Sequence, residues 1–394
     1  MSERRRMLPR MLLAATMAAA LLLAGCWDMR PVERLALVNL LLVDRTASGK
    51  VVVDAEVTSM TKSSSSGSGT SSGSSGGGSI AHVRGEGATP FQAFRAAGLS
   101  TVKRPYIGHI QVVLVGEREA KGHLGEVVDM FARDPQARMI AWIFAVGEQD
   151  IAHVMGTTAP GAAYPAEGIV ELALQSLDMS PARPTRLYEV ATLLATDEHG
   201  VAIPVLSTAQ GTEGFRIAGL ALFRHQTWAG TLSVDQATGY AWLAGAAHLK
   251  SATVACGKAA SSADLVSYDI VREGKRVTPV VDPHGGLVGI HVALQGTARI
   301  RQVSGNCAVG GSLASHQAIR QAIARQVWQQ AATALDVARA SGTDPFGFGT
   351  AVRIGSPEIW QAMASRWADE VLPRLPVAVD VLVDLDGAGE THLA

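Results

Sequence analysis

Few groups of residues in this sequence have the types and spacing of a catalytic, phosphate-binding or metal-binding motif. The stretch Gly69–Gly73 formally matches the nucleophile turn of hydrolases, but that turn needs a strand before it and a helix after it. It lies instead within residues 63–79, which contain only serine, glycine and threonine and predict a disordered surface loop. The sequence has no phosphate-binding Gly-x-x-x-x-Gly-Lys, no His-Glu-x-x-His and no Cys-x-x-Cys. We therefore predict no catalytic site, no metal site and no cofactor.

One cysteine does have a context that predicts chemistry. Basic residues between Arg4 and Arg10 precede the uncharged, mostly aliphatic run Met11–Leu23, which is too short to span a bilayer and has the pattern of a signal peptide. The following Ala24-Gly25-Cys26 resembles the lipobox of bacterial lipoproteins, in which the cysteine receives a diacylglycerol and becomes the first residue after cleavage. An ordinary secretory peptide with an incidental cysteine is the alternative.

The part of the chain after residue 25 has a small negative net charge and two further cysteines besides Cys26. The net charge of the whole chain is -1, and removing residues 1–25, which carry a net +3, leaves -4. The sequence has no basic stripe with interleaved aromatic residues, so nucleic-acid binding is not predicted. Cys256 and Cys307 lie in an exported body, where a disulfide could persist, but two buried thiols fit the sequence as well.

The elements expected along the chain alternate between strands and helices. Two apolar runs, at 35–44 and 51–57, predict a hairpin, and later strands are expected at 110–115, 139–146, 201–206 and 219–223. Helices are expected to begin at Pro90, and to cover 117–131, 166–177 and 185–195. From about residue 250 the chain becomes glycine-punctuated and strand-like, with strands expected at 288–294 and 297–303.

The last hundred residues give the clearest pattern. A long helix is expected from Ser315 to Gly342, and a second from Ser356 until the prolines at 373 and 376 end it. The run 377–385 alternates apolar and polar residues, which predicts a strand with one buried face.

Several segments, taken together and in order, are similar to the Ger(x)C family of spore germination lipoproteins. They are Gly25–Arg30 with Glu33 and Leu35-Ala36, Gly108–Glu117, Phe131–Pro135 with Arg138, Gly219–Arg224, Asp344–Gly349, and Trp360 with Trp367. The resemblance spans nearly the whole chain after the signal peptide. Two features depart from it: the length of the serine and glycine tract, and a body rich in alanine and arginine.

The resemblance implies an α+β fold of three small mixed α/β domains, each with its own sheet, behind the lipoprotein signal peptide. Our boundaries are 1–25 for the signal peptide, 26–195 for the first domain with its loop at 63–79, 196–270 for the middle domain and 271–394 for the last. It also implies a non-catalytic C subunit of a nutrient germinant receptor, held by a lipid on Cys26 at the outer leaflet of the spore inner membrane. The implied partners are the A and B membrane subunits, and contact with the nutrient is direct or indirect.

The remaining site residues are candidate contacts, each with an alternative. Trp27, Asp28 and Arg30 would lie beside the lipid, with Trp27 at the headgroup level, or form a solvated tether. The segment Phe346, Gly347, Phe348 and Gly349 is either an interaction loop or an internal packing turn. Two other functions compete with the receptor subunit: a solute-binding lipoprotein of an importer, which should have two similar lobes, and an anchored hydrolase, which lacks a credible nucleophile.

Overall fold

The computed structural model describes most of the chain after residue 33. The described residues are 34–59, 79–196, 200–208, 214–248, 250–256, 264–305, 307 and 313–386. The expected signal peptide at 1–25, the anchor region with Cys26, Trp27, Asp28 and Arg30, and nearly all of the serine and glycine loop lie outside these residues.

The described strands form two separate sheets, and the first has ten strands. Those strands are β1 (Leu35–Arg45), β2 (Val51–Ser59), β3 (Ser79–Gly87), β4 (Arg104–Tyr106), β5 (Val112–Gly116), β6 (Trp142–Val146), β7 (Thr185–Arg186), β8 (Val201–Thr208), β9 (Phe215–Arg224) and β10 (Thr227–Ser233). Their order is β10-β9-β8-β6-β5-β1-β2-β3, with β4 beside β1 and β7 beside β6. The four central strands β8, β6, β5 and β1 run parallel, β2, β3, β9 and β10 pair antiparallel at the two sides, and the short β4 pairs in parallel with β1.

Both faces of the first sheet are covered, which explains the continuous apolar runs in its central strands. Along β1, Val38 and Leu41 are buried in one layer, and Leu40 and Leu42 in the opposite layer. The helices that surround this sheet are α1 (Pro90–Leu99), α2 (Glu117–Ala120), α3 (Leu124–Arg133), α4 (Glu148–Val154), α5 (Pro165–Met179) and α6 (Leu187–Leu194), with a short 3-10 turn at Ile107–His109. The single helix expected over 117–131 is two helices, because the chain turns at Gly122, whose φ is 127°.

The second sheet has four strands in the order β11-β12-β13-β14 among the described residues. They are β11 (Ser251–Ala255), β12 (Leu265–Val281), β13 (Leu287–Ser304) and β14 (Val377–Leu385). Its accompanying helices are α7 (Val234–Ala244), α8 (Leu313–Ala340), α9 (Phe348–Gly355) and α10 (Pro357–Met363), followed by a 3-10 turn (Ala364–Arg366) and a π-helical turn (Trp367–Val371). The expected strand at 377–385 is confirmed, and it pairs in parallel with β13.

The α+β class is confirmed, but the strands are distributed differently from the expected three domains with a sheet each. Strands β8, β9 and β10 were expected in a middle domain, and they instead extend the first sheet through the parallel pairing of β6 with β8. The physical reason is that β8 is buried along nearly its whole length. Such a strand needs a neighbour on each side, and a small separate sheet would leave it at an edge.

Of the three buried apolar clusters in the described ranges, one contains residues of both sheets. Leu220 and Leu222 of β9 and Leu232 of β10 lie in the same buried cluster as Ile290 of β13 and Ile323 of α8. Cys256 and Cys307, for which the sequence left two alternatives, form a disulfide between the end of β11 and the segment after β13, with their Cα atoms 5.8 Å apart. Of the helices in the described ranges, none combines the length and the apolar character needed to cross a membrane.

Candidate functional site

The segment Asp344–Gly349 is organised around a buried aspartate. The carboxylate of Asp344 is 3% exposed, and it accepts hydrogen bonds from the backbone amides of Phe348, at 3.1 Å, and Gly349, at 2.7 Å. Its Oδ2 also accepts a bond from the indole Nε1 of Trp367, at 3.2 Å. The two backbone bonds cap the first turn of α9, where free amide groups and the helix dipole favour a negative charge. Asp344 therefore joins α9 to the Trp367–Val371 turn.

The two aromatic residues of this segment do not form an exposed interaction loop. Phe346 is 3% exposed and Phe348 is fully buried, with their rings 5.3 Å apart. Gly347 has a φ of 77°, a left-handed conformation that turns the chain so that both rings point inward. Of the two alternatives, the structure favours the internal packing turn. The expectation that Phe346 and Phe348 contact a partner is wrong, because both side chains are buried.

A cleft of about 460 Å³ lies beside this segment, between the two sheets. We call it the junction cleft, and its lining includes Arg183, Glu189, Tyr240, Lys275, Phe346 and Gly347. Its walls come from the turn before β7, from α6, from α7, from β12 and from the 344–349 segment. Its volume falls within the range of small-molecule sites.

The charges around the junction cleft are held by hydrogen bonds. The Nζ of Lys275 donates to the carbonyl oxygen of Phe346, at 2.9 Å, and to that of Leu243, at 2.7 Å. Burial lowers the pKa of Lys275, and the charge of Asp344 opposes this decrease. Burial raises the pKa of Tyr240 to about 12, so this hydroxyl is neutral at physiological pH. Arg183 and Glu189 form an ion pair at 3.5 Å.

Other buried carboxylates, in the first sheet and in the helices around it, accept hydrogen bonds or form ion pairs that hold these elements together. Glu56 accepts bonds from the Asn39 side chain, at 3.3 Å, and from the Ala166 amide, at 3.3 Å, in the first turn of α5. Glu119 pairs with Arg45 at 2.9 Å, and Asp150 accepts a 2.7 Å bond from the Thr208 hydroxyl. Burial is the main reason that the pKa values of Glu56 and Glu119 are raised. No group of three or more His, Cys, Asp or Glu side chains within the described ranges is placed to hold a metal ion.

Two other segments that are similar to the family, Gly108–Glu117 and the one that includes Arg138, meet at a second, smaller cleft of about 220 Å³. His109 and Gln111 line it together with Arg138, although the sequence separates them by more than twenty residues. Arg186 also lines this cleft, with its guanidinium carbon 3.1 Å from the centroid of the Trp142 ring, which is a cation–π contact.

The segment Gly219–Arg224 connects the two halves of the molecule. Arg224, at the end of β9, forms an ion pair with Asp369 of the Trp367–Val371 turn. In the helix preceding that turn, Trp360 is buried, and its ring centroid lies 5.4 Å from that of Trp367. The segments of the second half that are similar to the family therefore contribute to the contact between the two sheets. Their tryptophans, Trp360 and Trp367, belong to the buried core.

Sequence reasoning missed the charged residues of the junction cleft. Lys275 lies in the charged run Arg272–Arg276, so its sequence context is that of a solvated surface position. Arg183 lies between two prolines in a connecting segment, and nothing in its spacing distinguishes it. Only the three-dimensional fold brings them to Tyr240 and Phe346.

Comparison with protein families gives two adjacent matches. Residues 28–208 match the family described as "Spore germination protein N-terminal domain". Residues 218–389 match "Spore germination B3/ GerAC like, C-terminal". The two matches follow one another in the order N-terminal then C-terminal and cover nearly all of the chain after Cys26.

Individual relatives match over almost their full lengths. Spore germination protein KC of Bacillus subtilis (strain 168) is 22% identical, covering 95% of this chain and 94% of the relative. Spore germination protein B3 of the same organism is 20% identical, covering 92% of this chain and 93% of the relative. The crystal structure of the GerBC protein superimposes with a TM-score of 0.54 at 13% identity, covering 88% of this chain and 96% of that chain. This last similarity concerns the fold.

Proposed function

The chain belongs to the Ger(x)C family of spore germination proteins, and we propose that it is the lipid-anchored, non-catalytic C subunit of a nutrient germinant receptor. The observation that carries this proposal is the position of the family match. The match begins at residue 28, two residues after the lipobox cysteine, and continues to residue 389. Signal peptide, acylated cysteine and family body would thus follow one another without an intervening domain.

The anchor would hold the body at the outer leaflet of the spore inner membrane, beside the A and B membrane subunits. A diacylglycerol on Cys26 supplies two acyl chains, which is enough for stable attachment, whereas one chain gives marginal binding. Trp27, Asp28 and Arg30 would then lie next to the headgroups. Confinement to the membrane raises the effective concentration of the body near its partners, so interfaces of modest affinity suffice.

The buried charges support a non-catalytic role. Glu56, Glu119 and Asp344 all accept hydrogen bonds that hold strands or helices in place. None of the three is among the residues that line the junction cleft or the smaller cleft, so each serves as a structural acceptor. We therefore propose that the protein acts through its surfaces.

The importer alternative predicts two similar lobes around a ligand cleft. The two sheets are dissimilar, with ten strands and four strands in the described part of the chain. Calorimetry with candidate nutrients tests the same point, because tight binding of a nutrient by this protein without its partners would favour the importer function.

Replacement of the acylated residue tests the proposal directly. In spores carrying Cys26→Ala, we expect the protein to be lost from the membrane fraction and germination with nutrients to be impaired. Germination by a receptor-independent chemical should be unchanged in the same spores. Met29→Ala, a substitution in the same stretch, is the matched control and should leave nutrient germination intact. An unchanged nutrient response without membrane retention would count against the proposal.

A further inference from the structure

Two large apolar side chains at the end of α1 are almost fully exposed. Leu99 is 90% exposed and Val102 is 105% exposed, whereas most residues of their size in this chain are buried. We call Leu99, Val102, Lys103 and Arg104 the basic apolar tip. Exposed apolar side chains that lie together at one end of an element are typical of an interaction site.

The helix that carries the tip is fixed rigidly to the first sheet. Ala93 and Ala97 are fully buried and lie against β3, where the absence of side chains at Gly85 and Gly87 lets the helix approach the strand closely. The outward face of α1 continues the tip, because Phe91, Arg95 and Leu99 are spaced by four residues and Phe91 is 53% exposed.

The chain segment that carries the tip has charges of one sign. Residues 87–116 contain no aspartate or glutamate, and they include Arg95, Lys103 and Arg104. This stretch differs from the chain as a whole, whose net charge is -1. An apolar surface flanked by cations complements a bilayer with anionic headgroups, where apolar side chains enter the interface and cations remain with the phosphates.

The tip lies where the chain arrives from Cys26. Strand β4 runs parallel to β1, and Arg104 pairs with Leu35. The residues just before Arg104 are therefore neighbours of Arg34, an exposed cation at the beginning of the described chain. Arg34 lies eight positions after Cys26, and eight fully extended residues span at most about 28 Å.

We propose that the basic apolar tip is a second membrane contact, which inserts into the surface of a bilayer containing anionic lipid beside the acylated cysteine. The proposal depends on the proposed function for the anchor at Cys26. The lipid alone would leave the body free to rotate on its tether, whereas a second contact on a rigid helix fixes the direction of the first sheet relative to the membrane. The body would then present one defined side to its membrane partners.

A fluorescence measurement on the full chain tests this contact. The sequence has three cysteines, of which Cys26 carries the lipid and the other two form the disulfide, so an introduced cysteine is the only free thiol. Val102→Cys is labelled with an environment-sensitive probe in the lipidated protein, reconstituted in vesicles of phosphatidylcholine and phosphatidylglycerol. Val288→Cys, at a valine of β13 that is 45% exposed, is the matched control.

We expect lipids with a spin label on the acyl chain to reduce the emission at position 102 by about twofold, and to leave the emission at position 288 unchanged. Exchange of Lys103 and Arg104 for glutamine should diminish the quenching at position 102, because the attraction to anionic headgroups is lost. Unquenched emission at 102, in protein whose Cys26 carries diacylglycerol by mass spectrometry, would overturn the membrane contact and leave the anchor intact.

Two further outcomes are also decisive. Shielding of the probe at position 102 only when the membrane subunits are present, without quenching by lipid, would make the tip a protein interface and overturn the proposal. Quenching at position 102 in a protein that also carries Cys26→Ala, and so has neither a lipid nor a thiol at residue 26, would show that the tip binds the bilayer without the anchor and would support the proposal.

Discussion

Asp344 illustrates how a sequence segment that resembles an interaction loop serves the interior. Its side chain accepts bonds from Phe348, Gly349 and Trp367, which belong to two different helical segments. Its carbonyl oxygen also accepts a 2.8 Å bond from the amide of Gly200, just before β8 of the first sheet. A single residue thus fixes the last helices to each other and to the first sheet.

We expect Asp344→Asn to lower the free energy of unfolding by about 3 kcal/mol. Asparagine keeps one acceptor oxygen, but its amide group must face one of the N–H donors that the carboxylate now satisfies. Urea unfolding followed by tryptophan fluorescence measures the change, and Asp336→Asn, at an exposed carboxylate of α8, is the matched control. Equal stabilities of the two variants would show that the Asp344 bonds do not hold the segment.

Glu56 makes the stability of the first sheet depend on pH. Burial raises its pKa, so the folded chain retains a proton at pH values where the unfolded chain has released it. The stability due to Glu56 is therefore greatest at low pH, and it decreases as the pH rises through the ordinary glutamate pKa toward the higher folded value. Glu56→Gln cannot ionise, so its stability relative to the natural chain should increase as the pH rises above the ordinary glutamate pKa.

Glu117 offers the opposite sign as a control. Its bond with Lys121 is the main cause that lowers its pKa, so Glu117 contributes stability above the unfolded pKa and loses it as the pH falls. The stability of Glu117→Gln relative to the natural chain should therefore decrease with rising pH. Urea unfolding at a series of pH values measures both variants, and parallel curves for the two would contradict the assignment for Glu56.

At the scale of elements, strands with a strong pattern could be predicted and long polar strands could not. The alternation of residues 377–385 was sufficient for β14, and the apolar runs at 35–44 and 51–57 were sufficient for the first hairpin. The chain from about residue 250 was expected to be strand-like, but the bounds of β12 were not predicted, because Leu265–Val281 contains five charged side chains and a glycine. Its pairing with β13, which continues along the whole strand with three shifts of register, stabilises the strand where the local sequence does not indicate it.

The predicted helix boundaries were wrong where a contact between buried residues determines where the helix begins. Residues 346–349 were expected to form a loop or a turn, yet α9 begins at Phe348 because Asp344 caps its free amides. The residues of the junction cleft could not be predicted for the same reason. Burial of Phe346 and the position of Lys275 depend on residues more than sixty positions apart in the sequence, and no local pattern reports them.

The packing of α1 on β3 gives a prediction at this scale. A Cβ atom at Gly85 would overlap the backbone of Ala93 and Ala97, so Gly85→Ala must displace the helix. We expect a loss of about 3 kcal/mol in the free energy of unfolding, the upper part of the range for overpacked sites. The control is Gly274→Ala in β12, where the nearest atom to the new Cβ, on Gln295, lies 3.8 Å away. Chemical denaturation of both variants makes the comparison, and similar midpoints would mean that α1 is loosely held.

At the scale of the whole molecule, the boundary between the two family regions crosses a sheet. The first region ends at residue 208, the last residue of β8, and the second begins within β9. These strands are antiparallel neighbours, and Val201 pairs with Phe223. The apolar cluster between the sheets also draws on both regions, with Ala202 from the first and Leu222 from the second. The two sequence regions are therefore not two independent folding units.

We expect the two regions to remain together after the chain between them is cut. A protease site inserted within residues 209–213 would allow cleavage of the folded protein there, and the two fragments should elute as one species in size-exclusion chromatography. They would separate only in denaturant, because separation exposes the edge of β8 and the apolar residues of β9. The uncut protein with the same insertion is the control, and it should unfold in one transition by both fluorescence and circular dichroism. Separate elution of the two fragments in native buffer would contradict the shared core and make each region a domain of its own.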